Sequence, residues 1–306
     1  MKKMKKITAI LLTMAMIFSI TACGSQDGGQ ASSEPIKIAT KPMTEQYILG
    51  EMLKALIEDK TDYTVEITKG IGGGTSNIQP AMEKGEFDLY PEYTSSGWVM
   101  VLDHSPEGVS DEEMFEKLKS EYEEAFNMTW SGLYGFNNTF AIAVRKEAAD
   151  KYNLKTCSDL AKVSDKLVFG GNPDYIERED GFQALCEAYG FKFKDVKDID
   201  IGIKYEAMEK GDIDVTNGFT TDAQLSRDDV VVLEDDLHYQ VNYFCSTVVR
   251  MDALENYPEL ESVLEMMNGL ITDQDMAALN YQVEVEGRDE AEVAKDYLIE
   301  KGLLTK

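Results

Sequence analysis

The stretch that decides the fold occurs twice, as AMEKGEFD at residues 81–88 and as AMEKGDID at residues 207–214. Each copy is typical of a helix end, a glycine able to take the left-handed conformation, and the acidic first residues of a strand. Twelve residues after the first alanine of each copy stands an aromatic residue followed by threonine, Tyr93-Thr94 and Phe219-Thr220. The duplication predicts two lobes with the same local architecture.

Strand and helix patterns alternate around both copies. Ile36 to Thr40 predicts a buried strand, and Thr44 is placed to cap the helix that follows. Residues 87–90 predict a strand that Pro91 stops. Later strands are predicted at residues 140–144, 167–170 and 213–216. This alternation favours an α/β fold with mostly parallel sheets.

Open α/β sheets bind ligands beyond the carboxyl ends of their strands. We therefore expect Tyr93 and Phe219 on opposite walls of one cleft, if the two lobes face each other. Two ordinary core aromatics after a common helix-glycine-strand turn would give the same pattern.

Length and composition bound the class of protein. The chain has 306 residues, which allows one large domain or two ordinary ones, and 43% of them are hydrophobic, as in globular proteins. The formal net charge of −27 would repel the phosphates of nucleic acids, so no nucleic-acid partner is expected.

The N-terminus predicts export and lipid anchoring. Four lysines precede an apolar run from Ile7 to Ile20, which is typical of a signal peptide spanning residues 1–22. The segment Ile20-Thr21-Ala22-Cys23-Gly24 resembles the lipobox of bacterial lipoproteins, in which Cys23 is acylated; cleavage of a plain signal peptide near Ala22 is the alternative. Residues 23–35 then predict a flexible tether, rich in glycine, serine and glutamine.

Signals for metals, cofactors and catalysis are weak. His104 and His238 are the only histidines, and Cys157, Cys186 and Cys245 match no metal or redox spacing, so neither a metal nor a cofactor is expected. The glycine-rich run from Gly70 to Thr75 lacks the lysine of a phosphate loop and predicts a strand-to-helix turn.

Six motifs together strongly resemble the substrate-binding lipoproteins of Gram-positive ABC importers for glycine betaine, carnitine and choline. In chain order they are Ile38 to Gln46, Asp88 to Thr94, Phe136 to Phe140, Arg178 to Phe182, Phe219 to Asp222, and Leu279 to Tyr281.

The resemblance implies a two-lobe periplasmic-binding-protein fold, type II-like, with two crossing segments. It places lobe one at residues 36–131 and 236–306 and lobe two at residues 132–235. It also implies a monomer that carries a small betaine-type ligand to an ABC permease. The family holds a trimethylammonium group among four aromatic rings, which correspond here to Tyr93, Phe140, Phe219 and Tyr243. Such a cation offers no N–H donor, so ring faces stabilise it.

Five positions bear on which ligand of the family's range this protein would bind. The lobe-two rings are Phe where relatives carry Tyr, and Lys41 replaces a Gln beside the ligand carboxylate. Ser96 supplies a hydroxyl without charge, and Asn138 matches an amide beside the cage. A lysine there attracts a carboxylate and repels choline, which favours a carboxylated betaine.

Alternatives remain open. The same fold could bind choline, a ring-bearing betaine or a cationic amino acid, whereas a lipid-anchored enzyme or foldase lacks support because the sequence shows no nucleophile motif. Lys41 could equally be a solvated surface lysine. Tyr239 could complete the cage, and Trp98 could border the cleft or belong to the core.

Overall fold

The computed structural model describes residues 34–105, 108–171, 175–176, 181–200 and 203–305. The predicted signal peptide, Cys23 and Arg178 lie outside these residues. The strands are β1 (Ile36–Ala39), β2 (Val65–Thr68), β3 (Leu89–Tyr93), β4 (Met128–Trp130), β5 (Phe140–Arg145), β6 (Val168–Gly171), β7 (Asp195–Asp198), β8 (Val215–Phe219), β9 (Val230–Leu233) and β10 (Cys245–Arg250).

The α-helices of the described residues are α1 (Thr44–Lys60), α2 (Thr75–Glu83), α3 (Thr94–Ser96), α4 (Asp111–Phe126), α5 (Lys146–Tyr152), α6 (Cys157–Ala161), α7 (Phe182–Tyr189), α8 (Lys204–Glu209), α9 (Met251–Asn256), α10 (Leu260–Leu264), α11 (Asp273–Glu284) and α12 (Glu290–Glu300). A π-helical turn spans Gly97–Val101, and 3-10 turns span Ser164–Lys166, Ala223–Ser226 and Glu265–Met267.

The strands form two five-stranded sheets with equivalent strand orders. The first sheet runs β2-β1-β3-β10-β4 and the second runs β7-β6-β8-β5-β9. Apolar clusters cover both faces of each sheet, since alternate residues of a strand point to opposite faces. Within the described residues, no helix is long and apolar enough to cross a bilayer.

The chain crosses between the sheets twice, from β4 to β5 and from β9 to β10. The two crossings lie side by side, because Asn137 forms an antiparallel bridge with Phe244 and the Asn137 amide donates to Asn242 Oδ1 at 2.7 Å. This topology is the expected two-sheet architecture with two crossing segments.

The sequence repeat has a structural counterpart in each sheet. Gly85 and Gly211 both have φ +75°, a left-handed conformation that glycine adopts without strain, and each ends a helix just before a strand. The aspartate that closes each copy accepts a backbone N–H from the neighbouring strand, Asp88 from Lys37 and Asp214 from Val168. The duplicated segment therefore leads directly into the central strand of each sheet.

The mostly parallel arrangement expected from the alternation is wrong. Each sheet contains two parallel and two antiparallel ladders, because β10 joins the first sheet and β5 joins the second after a crossing rather than after a helical connection.

Two local expectations also fail. The strand β3 runs through Pro91 to Tyr93 instead of stopping there. The Thr94 N–H donates to the Phe244 carbonyl at 2.9 Å, and since antiparallel partners alternate, the Pro91 nitrogen faces away from β10. Helix α1 begins at Thr44, and Met43 takes the cap position without a side-chain hydrogen bond, so Thr44 is not the cap.

Candidate ligand site between the two sheets

A buried carboxylate, Glu45, joins the two halves of the molecule. It lies in the first turn of α1, where the positive end of the helix dipole favours a carboxylate. Its Oε1 accepts from the Tyr93 hydroxyl at the end of β3 and from Asn138 Nδ2 at 2.9 Å. Its Oε2 accepts from the Thr221 hydroxyl, just beyond β8, at 2.7 Å. Glu45 thus links the carboxyl ends of the central strands of both sheets.

Burial dominates the electrostatics of this junction. Loss of water raises the pKa of Glu45, while hydrogen bonds from Tyr93, Thr221 and Asn138 oppose the rise. Burial, with the adjacent carboxylate, also places the pKa of Tyr93 well above its usual value. A cation brought next to Glu45 would stabilise the ionised carboxylate.

Lys41 lies next to the same junction, paired with a second buried carboxylate. Its ammonium donates to Glu92 Oε1 and lies 4.8 Å from the centre of the Tyr93 ring. Glu92 also accepts from the Thr75 hydroxyl at 2.7 Å. Lys41 is 6% exposed, so it is not the solvated surface lysine of the alternative interpretation. An ammonium and a carboxylate therefore contact the ring and the hydroxyl of one tyrosine.

The second sheet contributes an aromatic surface. Phe140, the first residue of β5, pairs in register with Phe219, the last residue of β8. Their rings stack with centroids 4.9 Å apart, and the Tyr175 ring lies 5.6 Å from Phe140. Phe219 is 38% exposed, which is unusual for a phenylalanine and leaves a ring surface open to a partner.

The crossing segments bring two more predicted residues near this site. The Asn138 N–H donates to the Tyr243 carbonyl at 3.1 Å, while Asn138 Nδ2 reaches Glu45. Tyr243 is half-buried against the core of the first sheet. The structure therefore brings Tyr93 and Asn138 into contact with Glu45, Lys41 over the Tyr93 ring, and Phe140 against Phe219.

Three further positions from the sequence analysis are Ser96, Trp98 and Tyr239. Ser96 is the last residue of α3 and is half-buried. Trp98 is 5% exposed in the core and donates to the Ser105 carbonyl at 2.8 Å, which confirms the core interpretation. Tyr239 lines a cavity of about 800 Å³ beside the crossings, together with Phe140.

A smaller cavity of about 150 Å³ lies between the two halves, directly beside Glu45. Its lining comprises Met43, Thr44, Glu45, Asn138, Phe219, Thr221, Asp222, Ala223, Asn280 and Glu284. Residues of α1, the first crossing, the segment after β8 and α11 therefore meet at one point. Among the described residues, no group of three or more His, Cys, Asp or Glu side chains is placed to hold a metal ion.

Sequence reasoning assigned no role to Glu45, Glu92, Thr221 or Asn280, although all four lie within the quoted motifs. The sequence did contain a signal for Glu92, which is a carboxylate inside the short strand Leu89–Tyr93. Burying a carboxylate costs free energy unless it is paired, so such a residue indicates a buried partner. Glu45 had none, since an acidic residue in a first helical turn is ordinary.

Two β-sheets joined by two crossings, with polar and aromatic groups meeting between them, define a two-lobe ligand-binding protein. The sequence profile OpuAC, the substrate-binding domain of ABC-type glycine betaine transport systems, matches residues 34–300. The chain belongs to this family.

Curated relatives agree with the family. The chain is 44% identical over 270 residues to the ergothioneine transport permease/ergothioneine binding protein EgtU of Helicobacter pylori strain G27, a match that covers 88% of this chain and 48% of the relative. The chain thus spans about half the length of that relative. It is 32% identical over 300 residues to the carnitine transport binding protein OpuCC of Listeria monocytogenes, covering 97% of this chain and 96% of the relative.

Solved structures show the same architecture. A glycine betaine/carnitine/choline ABC transporter protein superposes with a TM-score of 0.81 at 30% identity, covering 88% of this chain and 99% of that chain. Apo YehZ from Escherichia coli superposes with a TM-score of 0.78 at 27% identity, covering 89% and 100%. This protein is accordingly a substrate-binding protein of a betaine- or carnitine-type ABC transporter, an extracytoplasmic class that serves a membrane permease and is not a class of enzymes.

Proposed function

We propose that the protein captures a carboxylated quaternary amine between its two sheets and delivers it to an ABC permease. The observation that carries this proposal is the pair of opposite charges at Tyr93, with the Lys41 ammonium over the ring and the Glu45 carboxylate at the hydroxyl. A zwitterion can present its carboxylate to the first and its cation towards the second. Glycine betaine, carnitine and larger betaines share this chemistry.

We propose Tyr93, Phe140, Phe219 and Tyr243 as the aromatic cage. Two of these rings end the equivalent strands β3 and β8, one from each sheet. A ring face stabilises a desolvated quaternary ammonium by about 0.5 to 2 kcal/mol. The ring of Phe219 is exposed, so a ligand that covers it would bury apolar surface that is now in water.

Lys41 is proposed to bind the ligand carboxylate, with Asn138 and Ser96 as further polar contacts. An ammonium has three donors, and the bond to Glu92 uses one of them. Glu92 then acts as the group that orients Lys41. Choline has no carboxylate and would meet only the repulsion of the lysine.

We propose lobe boundaries at residues 36–131 with 236–306 for the first lobe, and 132–235 for the second. The strands of each sheet fall on the corresponding side of these boundaries. Ligand binding would then close the lobes by a hinge motion about the two crossings, as in other two-lobe binding proteins. The protein is proposed to act as a monomer.

We also propose that residues 1–22 are removed as a signal peptide and that lipid on Cys23 anchors the protein to the outer face of the cell membrane. Support comes from the lipobox-like sequence before Gly24. Metabolic labelling with a radioactive fatty acid should mark the protein in a bacterial host, and Cys23→Ala should lose the label. Equal labelling of both proteins would contradict the anchor.

A thermal-shift panel tests the proposed ligand class. A ligand that binds only the folded protein raises the melting temperature in proportion to its free-energy contribution, RT ln(1 + [L]/Kd). Glycine betaine, carnitine and ergothioneine, the compound in the name of the Helicobacter relative, should be compared with choline and arginine. At least one carboxylated quaternary amine should give the largest shift. No shift with any of them, or a larger shift with arginine, would overturn the proposal.

A further inference from the structure

The turn after β8 carries the exposed ring of Phe219 and has a cavity on each side. Phe219 and Asp222 line both the cavity of about 150 Å³ beside Glu45 and a cavity of about 470 Å³ beside the start of α8. Since Phe219 is 38% exposed, its ring has less packing to hold it than a core ring has. The position of the ring therefore depends on how the backbone of this turn is fixed.

A buried lysine in the first turn of α8 holds this turn on both sides of Phe219. Lys204 Nζ donates to the Asn217 carbonyl, two residues before Phe219, at 2.9 Å. It also donates to Asp222 Oδ2, three residues after Phe219, at 3.2 Å. Lys204 is 4% exposed, so water competes little for these bonds. One ammonium thus joins the end of β8 to the segment that follows it.

Two further hydrogen bonds close the same turn. The Tyr205 hydroxyl donates to Asp222 Oδ2 at 2.7 Å, and the Asp222 N–H donates to the Phe219 carbonyl at 2.9 Å. A Cβ added to Gly218 would lie 2.6 Å from the Tyr205 hydroxyl oxygen and 2.9 Å from Asp222 Oδ2. These groups therefore lie directly against the backbone that precedes Phe219, an approach that glycine allows.

A buried ion pair of this kind indicates a role in geometry more than in stability. Such a pair adds little net stability over apolar side chains of similar volume, because both charges lose their water. Its hydrogen bonds, however, hold the groups that they join in one arrangement. A ring that is already held in its binding position loses less freedom when the ligand arrives, so it binds more tightly.

We infer that Lys204 is a positioning residue of the ligand site, which holds the Phe219 ring in place for the cation of the ligand by binding Asn217 and Asp222. The inference rests on the proposed function, and it gives a role in binding to a residue outside the proposed cage. Lys204 acts through Phe219 and not through contact with the ligand. Its removal should therefore weaken binding only as far as the ring contributes.

Calorimetric titration of Lys204→Met with the tightest-binding carboxylated quaternary amine tests the inference. We expect the variant to bind about threefold to 30-fold more weakly, the contribution of one ring face. Arg145→Met is the matched control, because Arg145 Nη2 donates to Asp214 Oδ1 at 2.8 Å just before β8, at the other end of the strand. The control should also lose stability, but its affinity should stay within about twofold. Equal weakening by both variants would show a general loosening of the second sheet and would overturn the inference.

A double-mutant cycle with Phe219→Ala shows whether Lys204 acts through the ring. In the Phe219→Ala background, Lys204→Met should change the affinity by less than about twofold, because the ring that it positions is gone. A full additional loss in that background would overturn the inference. If Lys204→Met does not fold, the double replacement Lys204→Met, Asp222→Asn takes its place in the cycle, because it leaves no unpaired charge buried at this position.

The inference and the proposed function fail in different ways. If the unaltered protein binds a carboxylated quaternary amine and Lys204→Met binds it equally tightly, the inference alone is wrong. If the unaltered protein binds no quaternary amine, the proposed function is wrong as well.

Discussion

The two central strands β3 and β8 directly follow the two copies of the sequence repeat, yet their last residues form very different walls of the candidate site. Tyr93 at the end of β3 is 4% exposed, with its hydroxyl bound to Glu45 and Lys41 over its ring. Phe219 at the end of β8 is 38% exposed, has no hydroxyl and stacks on Phe140. The first wall is a paired polar network, and the second is an open aromatic surface.

This difference separates stability from recognition. Side chains of the first wall are satisfied by protein partners, so removing one of them leaves a buried polar group without its bond. The ring of Phe219 is 38% exposed, so its removal should change the stability of the fold little. If Phe219 belongs to the proposed cage, the same removal should weaken ligand binding.

The largest effect is expected from Tyr93→Ala. Truncation of a buried aromatic side chain costs about 3 to 5 kcal/mol of unfolding free energy, and Glu45 would also lose a hydrogen bond. Phe219→Ala is the matched control at the equivalent position, and it should change the unfolding free energy by less than about 1 kcal/mol. Chemical denaturation of both variants measures the contrast, and equal losses would refute the difference between the walls.

Lys41→Gln should come next. Removing one member of a buried ion pair leaves Glu92 uncompensated and costs about 3 to 5 kcal/mol. The double variant Lys41→Gln, Glu92→Gln removes both charges and should recover most of this loss in denaturation experiments. The double variant should also bind a carboxylated betaine more weakly than the original protein does, whereas its affinity for choline should be unchanged. No recovery in the double variant, or equal affinity changes for both ligands, would contradict the roles given to Lys41.

Much of the fold could be predicted from the sequence, because a duplicated segment with alternating periodicity leaves few architectures. The antiparallel strands could not, since β5 and β10 enter their sheets after long crossings that no local pattern records. The prediction that β3 ends at Pro91 was wrong because a proline is tolerated in a strand when its nitrogen faces away from the paired neighbour. The sequence does not show which edge of β3 pairs with β10. At the site, the positions of Tyr93 and Phe219 at the ends of two equivalent strands could be predicted from the repeat. Glu92 carried a signal as a carboxylate inside a short strand, whereas Glu45 could not be predicted, because only its burial and its long-range hydrogen bonds make it important.

Phe219→Ala should weaken a quaternary amine about threefold to 30-fold, which corresponds to about 0.5 to 2 kcal/mol for one ring face. Its melting temperature without ligand should stay close to that of the unaltered protein. Phe219→Leu is a useful control, because it retains apolar bulk and removes the ring. If the leucine variant binds as tightly as the original protein, hydrophobic contact and not the ring face holds the cation.

The smallest effect is a pH dependence set by Glu45. Burial raises its pKa above the usual 4.5 in the folded protein, so the unfolded chain loses this proton first and stability without ligand falls as pH rises from about 4.5. The titratable groups around it include Lys41, Glu92, Tyr93 and Cys245, and Asp222 and Glu284 line the same cavity. Ligand affinity should fall as pH is lowered through the raised pKa, because a proton then replaces the negative charge.

Glu45→Gln should flatten both pH profiles, measured by denaturation and by titration of a permanently charged betaine. If stability and ligand affinity of the variant still change with pH as in the original protein, another group causes the pH dependence.

The central claim is that a positive charge is recognised between the two walls. The most direct measurement is a calorimetric comparison of the tightest-binding carboxylated quaternary amine with its isostere in which carbon replaces the quaternary nitrogen. Both compounds have the same shape and the same carboxylate, and only the cation differs. We predict that the neutral isostere binds at least about tenfold more weakly, since ring faces and Glu45 stabilise charge. Equal affinity of the two compounds would contradict the account.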